Sequence, residues 1–413
     1  MVIPRASLVI PTYNRANLIR RSLEFHLQMA ENAPFPIEVI VSDNASTDNT
    51  ADVLDLFEGH PNLVVIRRGE NNGSSANVFT GFHQARGEVV TFIGDDDFLV
   101  PDAWFRACQH VIADSAIMMW QAPWVMFDEI QNRTIGNFYN ISDIIRFNEG
   151  DYLNAFNMIL DEHIFPEVCI YRRSHVFRMV GRDSHIMYWA FVQIARALSQ
   201  GAVVFAPEPF AVFTSVSKHN RNAGNAEAMI GWDRYRGGIE YGLAHVFERQ
   251  KLTETLRATL VAKLETFTAQ RMLVARRLHL AARNYVEADE LSRRIVFARQ
   301  ALPEMAQEIK NLRTLAVFQE CLREAFSLGG ERIAVDPAIP DSIITALKES
   351  EQIALTRDAT DTRSRAPFSR AFLSLGDDYP YGQTRNDLVV RVDAALSRGD
   401  GLMHPDLRLI GTH

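Results

Sequence analysis

Four short runs of β-favouring residues alternate with three helical periods across the first hundred positions. That alternation dictates an α/β fold, a largely parallel sheet with helices on both faces. The runs are residues 7–10, 37–42, 62–67 and 88–93. Between them, residues 18–29 carry apolar side chains at helical spacing. Ser46-Thr47-Asp48 opens a second helix reaching residue 57, with Ser46 or Thr47 as its N-cap. Ser74-Ser75 starts a third after the Asn71-Asn72-Gly73 turn, and Gly87 closes it. Open sheets of this kind take ligands beyond the C-terminal ends of their strands. The fourth run ends there in Gly94-Asp95-Asp96-Asp97. Three adjacent carboxylates repel one another and need compensation. A hard divalent cation, Mn²⁺ or Mg²⁺, would supply it through oxygen ligation and could hold a diphosphate. The plain alternative is a solvated acidic turn.

A length of 413 residues predicts two or three domains. Apolar content of 47% and charge of 23% suit a globular protein, and a net charge of −8 argues against a nucleic-acid binder. Cys108, Cys169 and Cys321 are far apart and form no metal-ligand spacing, which suits a reducing compartment. The sequence shows no secretory leader and no apolar run long enough to span a bilayer. A cytoplasmic protein is expected, with peripheral association to the membrane's cytoplasmic face left open because an acceptor could be lipid-linked.

Beyond residue 120 the pattern is mixed, with a helix over 187–198 and short strands over 203–205 and 210–213. The Ser-, Asn- and Gly-rich stretch 215–226 reads as a flexible loop. Residues 228–326 carry long helical periodicity, with Pro303 near the start of one helix, and read as a bundle of four helices. The proline-interrupted tail predicts two short helices, over 341–355 and 386–397, joined by irregular chain. The expected domains are 1–226 (a nucleotide-binding half, 1–100, and an acceptor half, 101–226), a helical bundle at 227–328, and an extension at 329–413.

Four motifs occur in a telling order: Val9-Ile10-Pro11-Thr12-Tyr13-Asn14-Arg15, then Ser42-Asp43-Asn44-Ala45-Ser46-Thr47-Asp48, then Asn72-Gly73-Ser74-Ser75 with Ala85-Arg86-Gly87, then Gly94-Asp95-Asp96-Asp97. Together they resemble glycosyltransferase family 2, the inverting class with the GT-A fold. The likeness is nearest to abequosyltransferase-like members that add sugars to bacterial surface polysaccharide. It covers roughly the first half of the chain.

The resemblance implies roles for particular residues. Asp95 and Asp97 would face the metal, Asp95 would also reach the ribose, and Asp96 would orient the donor sugar. Asp43 would contact base or ribose, its alternative being a cap for the following helix. Pro11, Thr12 and Tyr13 would line the donor site, with Tyr13 packing on the base and Asn72 nearby. Arg15 would meet phosphate or else solvate a helix start. Asn77 stands where many members have arginine. His219 would be a further metal contact under a closing loop, with Lys218 or Arg221 toward the diphosphate; a surface histidine is the alternative.

Inverting transfer needs a base within reach of the acceptor hydroxyl. The family's Glu-Asp pair is replaced here by Tyr188-Trp189, when Gly201 is aligned with the family's glycine turn. Asp183 and His185 are the candidate substitutes, with Glu167 a further one and helix capping the alternative for Asp183. Tyr188 and Trp189 could instead stack on an acceptor sugar or pack in the core.

The function so implied is a metal-dependent hexosyl- or deoxyhexosyl-transferase. It would move sugar from a nucleotide-diphosphate donor to a saccharide or lipid-linked saccharide in surface polysaccharide biosynthesis. The competing readings are a catalytically silent nucleotide-sugar-binding protein and a nucleotidyltransferase. The latter lacks its glycine-rich opening loop, since Pro11-Thr12-Tyr13-Asn14 occupies that place.

Overall fold

The computed structural model describes residues 3–176, 186–218, 225–249, 251–297, 305–351, 354–368, 370–374 and 387–392. The chain divides into two compact units: Met1–Ala226 with Asp233–Phe267, and Glu227–Trp232 with Thr268–His413.

The first unit begins β1 (Ala6–Thr12), α1 (Ala16–Glu31), β2 (Ile37–Asp43), α2 (Thr50–Asp55), β3 (Leu63–Arg67), α3 (Ser74–Gln84) and β4 (Val89–Phe92). β1 lies between β2 and β4, parallel to both, and β3 extends the run beyond β2. The chain thus winds outward from β1 to β3, then returns to β1's other side for β4. The ends of β1 and β4 therefore flank the sheet's topological switch point, where such sheets take ligands. Leu8, Val9, Ile10, Val89 and Val90 are fully buried, as strands covered on both faces require. Gly87 lets β4 enter beside β1, because a Cβ there would stand 2.6 Å from the Ala6 carbonyl carbon.

Helix α2 starts at Thr50, later than Ser46 or Thr47 would have set it. Those two residues are already engaged with the first loop. The Asn14 N–H donates to Ser46 Oγ at 2.8 Å, and the Thr47 N–H donates to Asn14 Oδ1 at 2.7 Å. Asp48 then accepts from the Thr50 amide at 3.0 Å and begins the turn.

The unit continues β5 (Phe98–Leu99), α4 (Pro101–Ala113), β6 (Ile117–Gln121), β7 (Val125–Asp128), β8 (Arg133–Asn137), β9 (Ile145–Phe147), α5 (Tyr152–Asp161), β10 (Cys169–Arg172), α6 (Arg173–Val176), α7 (Trp189–Leu198), β11 (Ala202–Phe205) and β12 (Ala211–Val216). β10 inserts antiparallel between β4 and β6, and the eight-stranded sheet has the order β3-β2-β1-β4-β10-β6-β11-β9. A second sheet has the order β5-β12-β7-β8.

His26 links α1 to β5 behind the switch point. It is fully buried, stacked on Phe98 at 5.9 Å and edge-on to Phe25 at 5.0 Å. Its Nδ1 lies 2.9 Å from the Ser22 carbonyl, and its Nε2 faces the Leu99 N–H at 3.4 Å. That pattern describes a neutral ring, donor at Nδ1 and acceptor at Nε2. Burial drives its pKa down to about 4. The unfolded chain, with a histidine near 6.5, therefore binds the proton first. The stability this ring contributes is fully present above about pH 6.5 and is lost as pH falls toward 4. Across that window wild type should lose on the order of 3 kcal/mol relative to His26→Gln, read by urea unfolding at several pH values. Parallel curves for the two proteins would contradict a neutral buried ring.

The helices α8 (Asn225–Ile230), α9 (Trp232–Arg249), α10 (Glu254–Ala281), α11 (Tyr285–Phe297) and α12 (Met305–Ser327) follow. They do not form one separate bundle, because Asp233–Phe267 groups with the first unit. Gly242 of α9 packs against the Phe156 ring with no room for a side chain. Lys263 of α10 bonds Asn157 at 2.7 Å and Asp161 at 2.8 Å, and Phe267 stacks on Phe165 at 5.6 Å. Pro303 lies outside the described residues.

In the second unit the described residues of the tail form strands that its prolines did not suggest. Strands β13 (Gly330–Val335), β14 (Ala354–Thr356), β16 (Arg370–Ser374) and β17 (Asp387–Arg391) form a parallel sheet in the order β14-β13-β16-β17, with β15 (Arg363–Ser364) antiparallel to β13. Helix α13 (Asp341–Glu351) falls where the first short helix was expected. The second was misplaced: residues 387–391 form β17. Leu388-Val389-Val390 favours a strand once β16 offers a partner. Arg370 also holds Asp387 with bonds of 2.9 and 2.6 Å. Phe318, Leu322, Ile333, Val335, Leu347 and Leu373 are among the residues of this unit's core. Among the described residues, no helix is long and apolar enough to cross a membrane.

Candidate functional site

Thr12, the last residue of β1, joins the two sides of the switch point. Its carbonyl accepts from the Asn44 N–H at 3.0 Å and the Asn77 amide at 3.3 Å. Its hydroxyl donates to Asp95 Oδ2 at 2.7 Å, although the two residues are 83 positions apart. Arg15 Nη1 lies 2.9 Å from both Asp95 Oδ1 and Asp96 Oδ2. The structure thus brings Thr12, Arg15, Asp95 and Asp96 into direct contact. Asp97 turns elsewhere. Its Oδ1 accepts the Thr214 N–H at 2.9 Å, while the Thr214 hydroxyl donates to the Asp96 carbonyl at 2.7 Å. The acidic turn is therefore clamped from β1 on one side and β12 on the other.

This turn is short of positive charge. Burial pushes the Asp95 carboxyl up to about 6, with Asp96 adding to the rise and Arg15 and Thr12 opposing it. Burial dominates even though Asp95 has an ion-pair partner. Asp97 is raised well above the usual carboxylate range by burial and then by the Asp96 charge, against the Thr214 bond. Among the described residues, no three acid, histidine or cysteine side chains converge into a ready-made metal cage. The donor set is all carboxylate oxygen, however. Mg²⁺-like ions are usually held by one or two carboxylates, with substrate phosphates and water completing the shell. Asp95 and Asp97 fit that pattern, and a cation would relieve the crowding that raises their carboxyls.

The ends of β2 and α3 form the neighbouring wall. Asp43 is buried and accepts the Ser46 N–H at 3.1 Å and the Ser46 hydroxyl at 2.5 Å, shaping the turn in which Ala45 takes a φ of 63°. Asn44 reaches Asn71 at 2.7 Å and the Gly73 carbonyl at 3.2 Å. The exposed Asn72 donates its N–H to Asn44 Oδ1 at 3.4 Å. Asn77 is buried and ties Ser42 to Thr12, so it braces strand ends. Pro11 pairs with Ser42 in the ladder, and Tyr13 stands 40% exposed at the mouth.

A cleft opens beside the acidic turn, lined among others by Arg21, Asp95, Asp96, Glu129, Thr214 and Ser217. Arg21, Glu129 and Thr214 did not stand out in the sequence. Glu129 pairs with Arg21 at 2.9 Å and accepts the Lys218 N–H at 3.1 Å, anchoring the strand that leads into the 219–224 segment. No local pattern marks these residues, since the cleft assembles them from three distant stretches. Asp183, His185, His219 and Arg221 lie outside the described residues.

At the start of α7, Tyr188 is buried and donates its hydroxyl to Glu167 Oε1 at 2.8 Å. Trp189 packs on Phe92 at 5.5 Å and Phe79 at 6.1 Å. Both aromatics therefore pack into this unit; they do not form an open platform.

Residues 7–177 match the family model described as Glycosyl transferase family 2. This segment is a glycosyltransferase family 2 domain. It includes β1 to β4, the acidic turn and β10, while Thr214 of β12, which clamps that turn from its other side, lies beyond it. The chain is 27% identical over 166 residues to Abequosyltransferase RfbV of Salmonella typhimurium, covering 40% of this chain and 47% of that protein. It is 33% identical over 103 residues to GalNAc(5)-diNAcBac-PP-undecaprenol beta-1,3-glucosyltransferase of Campylobacter jejuni, covering 24% of this chain and 32% of that one. The chain thus spans less than half the length of these relatives. Among solved structures, Mannosyltransferase PcManGT from Pyrobaculum calidifontis, in complex with GDP-Man and Mn²⁺, overlaps with a TM-score of 0.44 at 19% identity, covering 68% of this chain and 76% of that one.

Proposed function

We propose that this protein is a divalent-cation-dependent inverting glycosyltransferase. It transfers a sugar from a nucleotide-diphosphate donor to a saccharide or lipid-linked saccharide acceptor, in surface polysaccharide biosynthesis. The observation that carries the proposal is the clamped Asp95-Asp96-Asp97 turn at the switch point of a family 2 domain, with two carboxyls raised by burial and crowding. The named activities of the two relatives, sugar transfer in both, support the same class.

In this reading the nucleoside lies along the ends of β1 and β2. Asp43, Asn72 and Tyr13 are the groups facing it, and Pro11 and Thr12 shape its floor. Asp95 and Asp97 would hold the cation, which when bound neutralises charge growing on the leaving diphosphate. Arg15 offers a second positive charge beside the same oxygens. Asp96 is placed to meet donor-sugar hydroxyls. His219, Asp183 and His185 remain proposals for metal contact and base. Three buried, unpaired thiols suit a reducing cytoplasmic setting.

The test is a panel of UDP-glucose, UDP-N-acetylglucosamine, GDP-mannose and dTDP-glucose, each with and without Mn²⁺, followed by thermal shift and by release of nucleoside diphosphate. UDP- or dTDP-linked donors should raise the midpoint only with metal, by mass action on the folded state, and should turn over. The replacement of the usual acidic pair by Tyr188-Trp189 favours a second reading, silent donor binding. Stabilisation with no release of nucleotide on any acceptor would select it.

A further inference from the structure

We propose that the ion pair between Arg21 and Glu129 positions Asp97 for the cation, acting through Thr214. This role rests on the transferase reading, in which Asp97 faces the cation. Thr214 fixes where Asp97 points. Its N–H donates to Asp97 Oδ1 at 2.9 Å and its hydroxyl donates to the Asp96 carbonyl at 2.7 Å, so one residue holds both a side chain and the backbone of the acidic turn. The other Asp97 oxygen, Oδ2, lies over Gly94, where a Cβ would stand 2.7 Å from it. A shift of the Thr214 amide therefore shifts the carboxylate.

Thr214 needs support because β12 is irregular at that point. The strand pairs with β7 through Thr214↔Phe127 and then Val216↔Asp128, which leaves Ser215 as the extra residue of a bulge. Bulges bend a strand, interrupt its ladder and recur beside active sites, where they re-aim side chains. Glu129 pins the chain directly after the bulge. Its N–H donates to the Val216 carbonyl at 2.9 Å. Its Oε2 accepts the Lys218 N–H at 3.1 Å and the Ser217 hydroxyl at 3.3 Å. Arg21 Nη1, from α1, donates to its Oε1 at 2.9 Å.

Arg21 also lies 4.9 Å over the Phe98 ring. Phe98 follows Asp97 in the chain and pairs with Val212 of β12. The contacts close a circuit from Asp97 through Phe98, Arg21, Glu129 and the end of β12 to Thr214, and so back to Asp97. β12 is thereby fixed on both sides of Thr214, and Arg21, Glu129 and Thr214 all line the cleft beside the acidic turn. The Arg21 side chain is 59% exposed, so the pair adds little to global stability. Its effect falls on the local geometry of the turn.

The experiment compares wild type with Arg21→Met, Glu129→Gln, the double variant, Thr214→Val and Thr214→Ser. Three quantities are read: the melting midpoint in chelator, hydrogen exchange over residues 211–218, and Mn²⁺ affinity from the paramagnetic resonance of the free ion. The affinity is measured with whichever of UDP, GDP and dTDP wild type binds best. Arg21→Met and Glu129→Gln should each weaken Mn²⁺ binding about five- to tenfold and speed exchange over 211–218 by a similar factor, as loss of one hydrogen-bonded link implies. The midpoint of Arg21→Met should stay within about 3 °C of wild type. The double variant should be no weaker than either single one, because both break the same link. Thr214→Val should show the same weakening, and Thr214→Ser, which restores both donors, should regain it. Wild-type affinity and exchange in Arg21→Met, or losses that add in the double variant, overturn the positioning role even though the transferase reading stands. A larger fall in the Arg21→Met midpoint alongside the affinity marks a general packing defect and overturns it too. If Glu129→Gln does not fold, Arg21→Met and the two Thr214 variants decide. Wild type that binds no Mn²⁺ with any of the three nucleotides removes the cation reading and this role with it.

Discussion

Replacing Asp97 with asparagine will reduce metal-dependent turnover of the donor about a thousandfold while the fold survives. The fold survives because Asp97 Oδ1 serves as acceptor for the Thr214 N–H, and an asparagine carbonyl can accept the same bond at 2.9 Å. What the amide cannot supply is negative charge toward a cation. Charge stabilisation of a leaving diphosphate is worth several kcal/mol, and about 4 kcal/mol corresponds to a thousandfold. The donor-induced rise in melting midpoint should disappear with it. Equal thermal shifts in wild type and variant, with similar turnover, would remove Asp97 from the metal site.

Arg15→Ala will make the protein's stability depend on the cation. Arg15 is the positive charge recorded against both Asp95 and Asp96. Removing one partner of a buried pair commonly costs about 3–5 kcal/mol. The Arg15 side chain is 35% exposed, though, so solvent screening reduces the expected loss to about 2 kcal/mol. The midpoint should fall by roughly 4–8 °C in chelator. Mn²⁺ alone, without donor, should restore most of that loss, because the ion takes over the compensation that the guanidinium gave. Wild type should respond far less to the same addition. A variant whose midpoint ignores Mn²⁺ would show that the carboxylates do not form a cation site.

Much of this site was legible because its parts follow strands. A buried strand ending in Gly94-Asp95-Asp96-Asp97 has one place to put those carboxylates, and β1 ending in Thr12 has the same. The hydrogen bond that joins Thr12 to Asp95 was not legible, since only the return of β4 to β1 brings residues 83 apart together. Arg15 illustrates the same limit: its charge was visible, but its direction, toward the carboxylates, depends on the first loop's fold. Glu129 and Arg21 carry no local signal at all. The second unit was harder. Residues 387–391 have no turn chemistry to mark them, and their strand character depends on the parallel partner β16. The 28-residue helix α10 read as part of a single bundle because helical periodicity cannot report that its first half packs with Phe165 and Asp161.

The most direct test of the account is the anomalous scattering of manganese in crystals soaked with Mn²⁺ and the best-bound nucleoside diphosphate of the panel. The account predicts one strong peak at ligation distance, about 2.0–2.3 Å, from an oxygen of Asp97 or Asp95, bridged to a diphosphate oxygen at the ends of β1 and β4. A nucleotide bound elsewhere, or manganese away from that acidic turn, would contradict it.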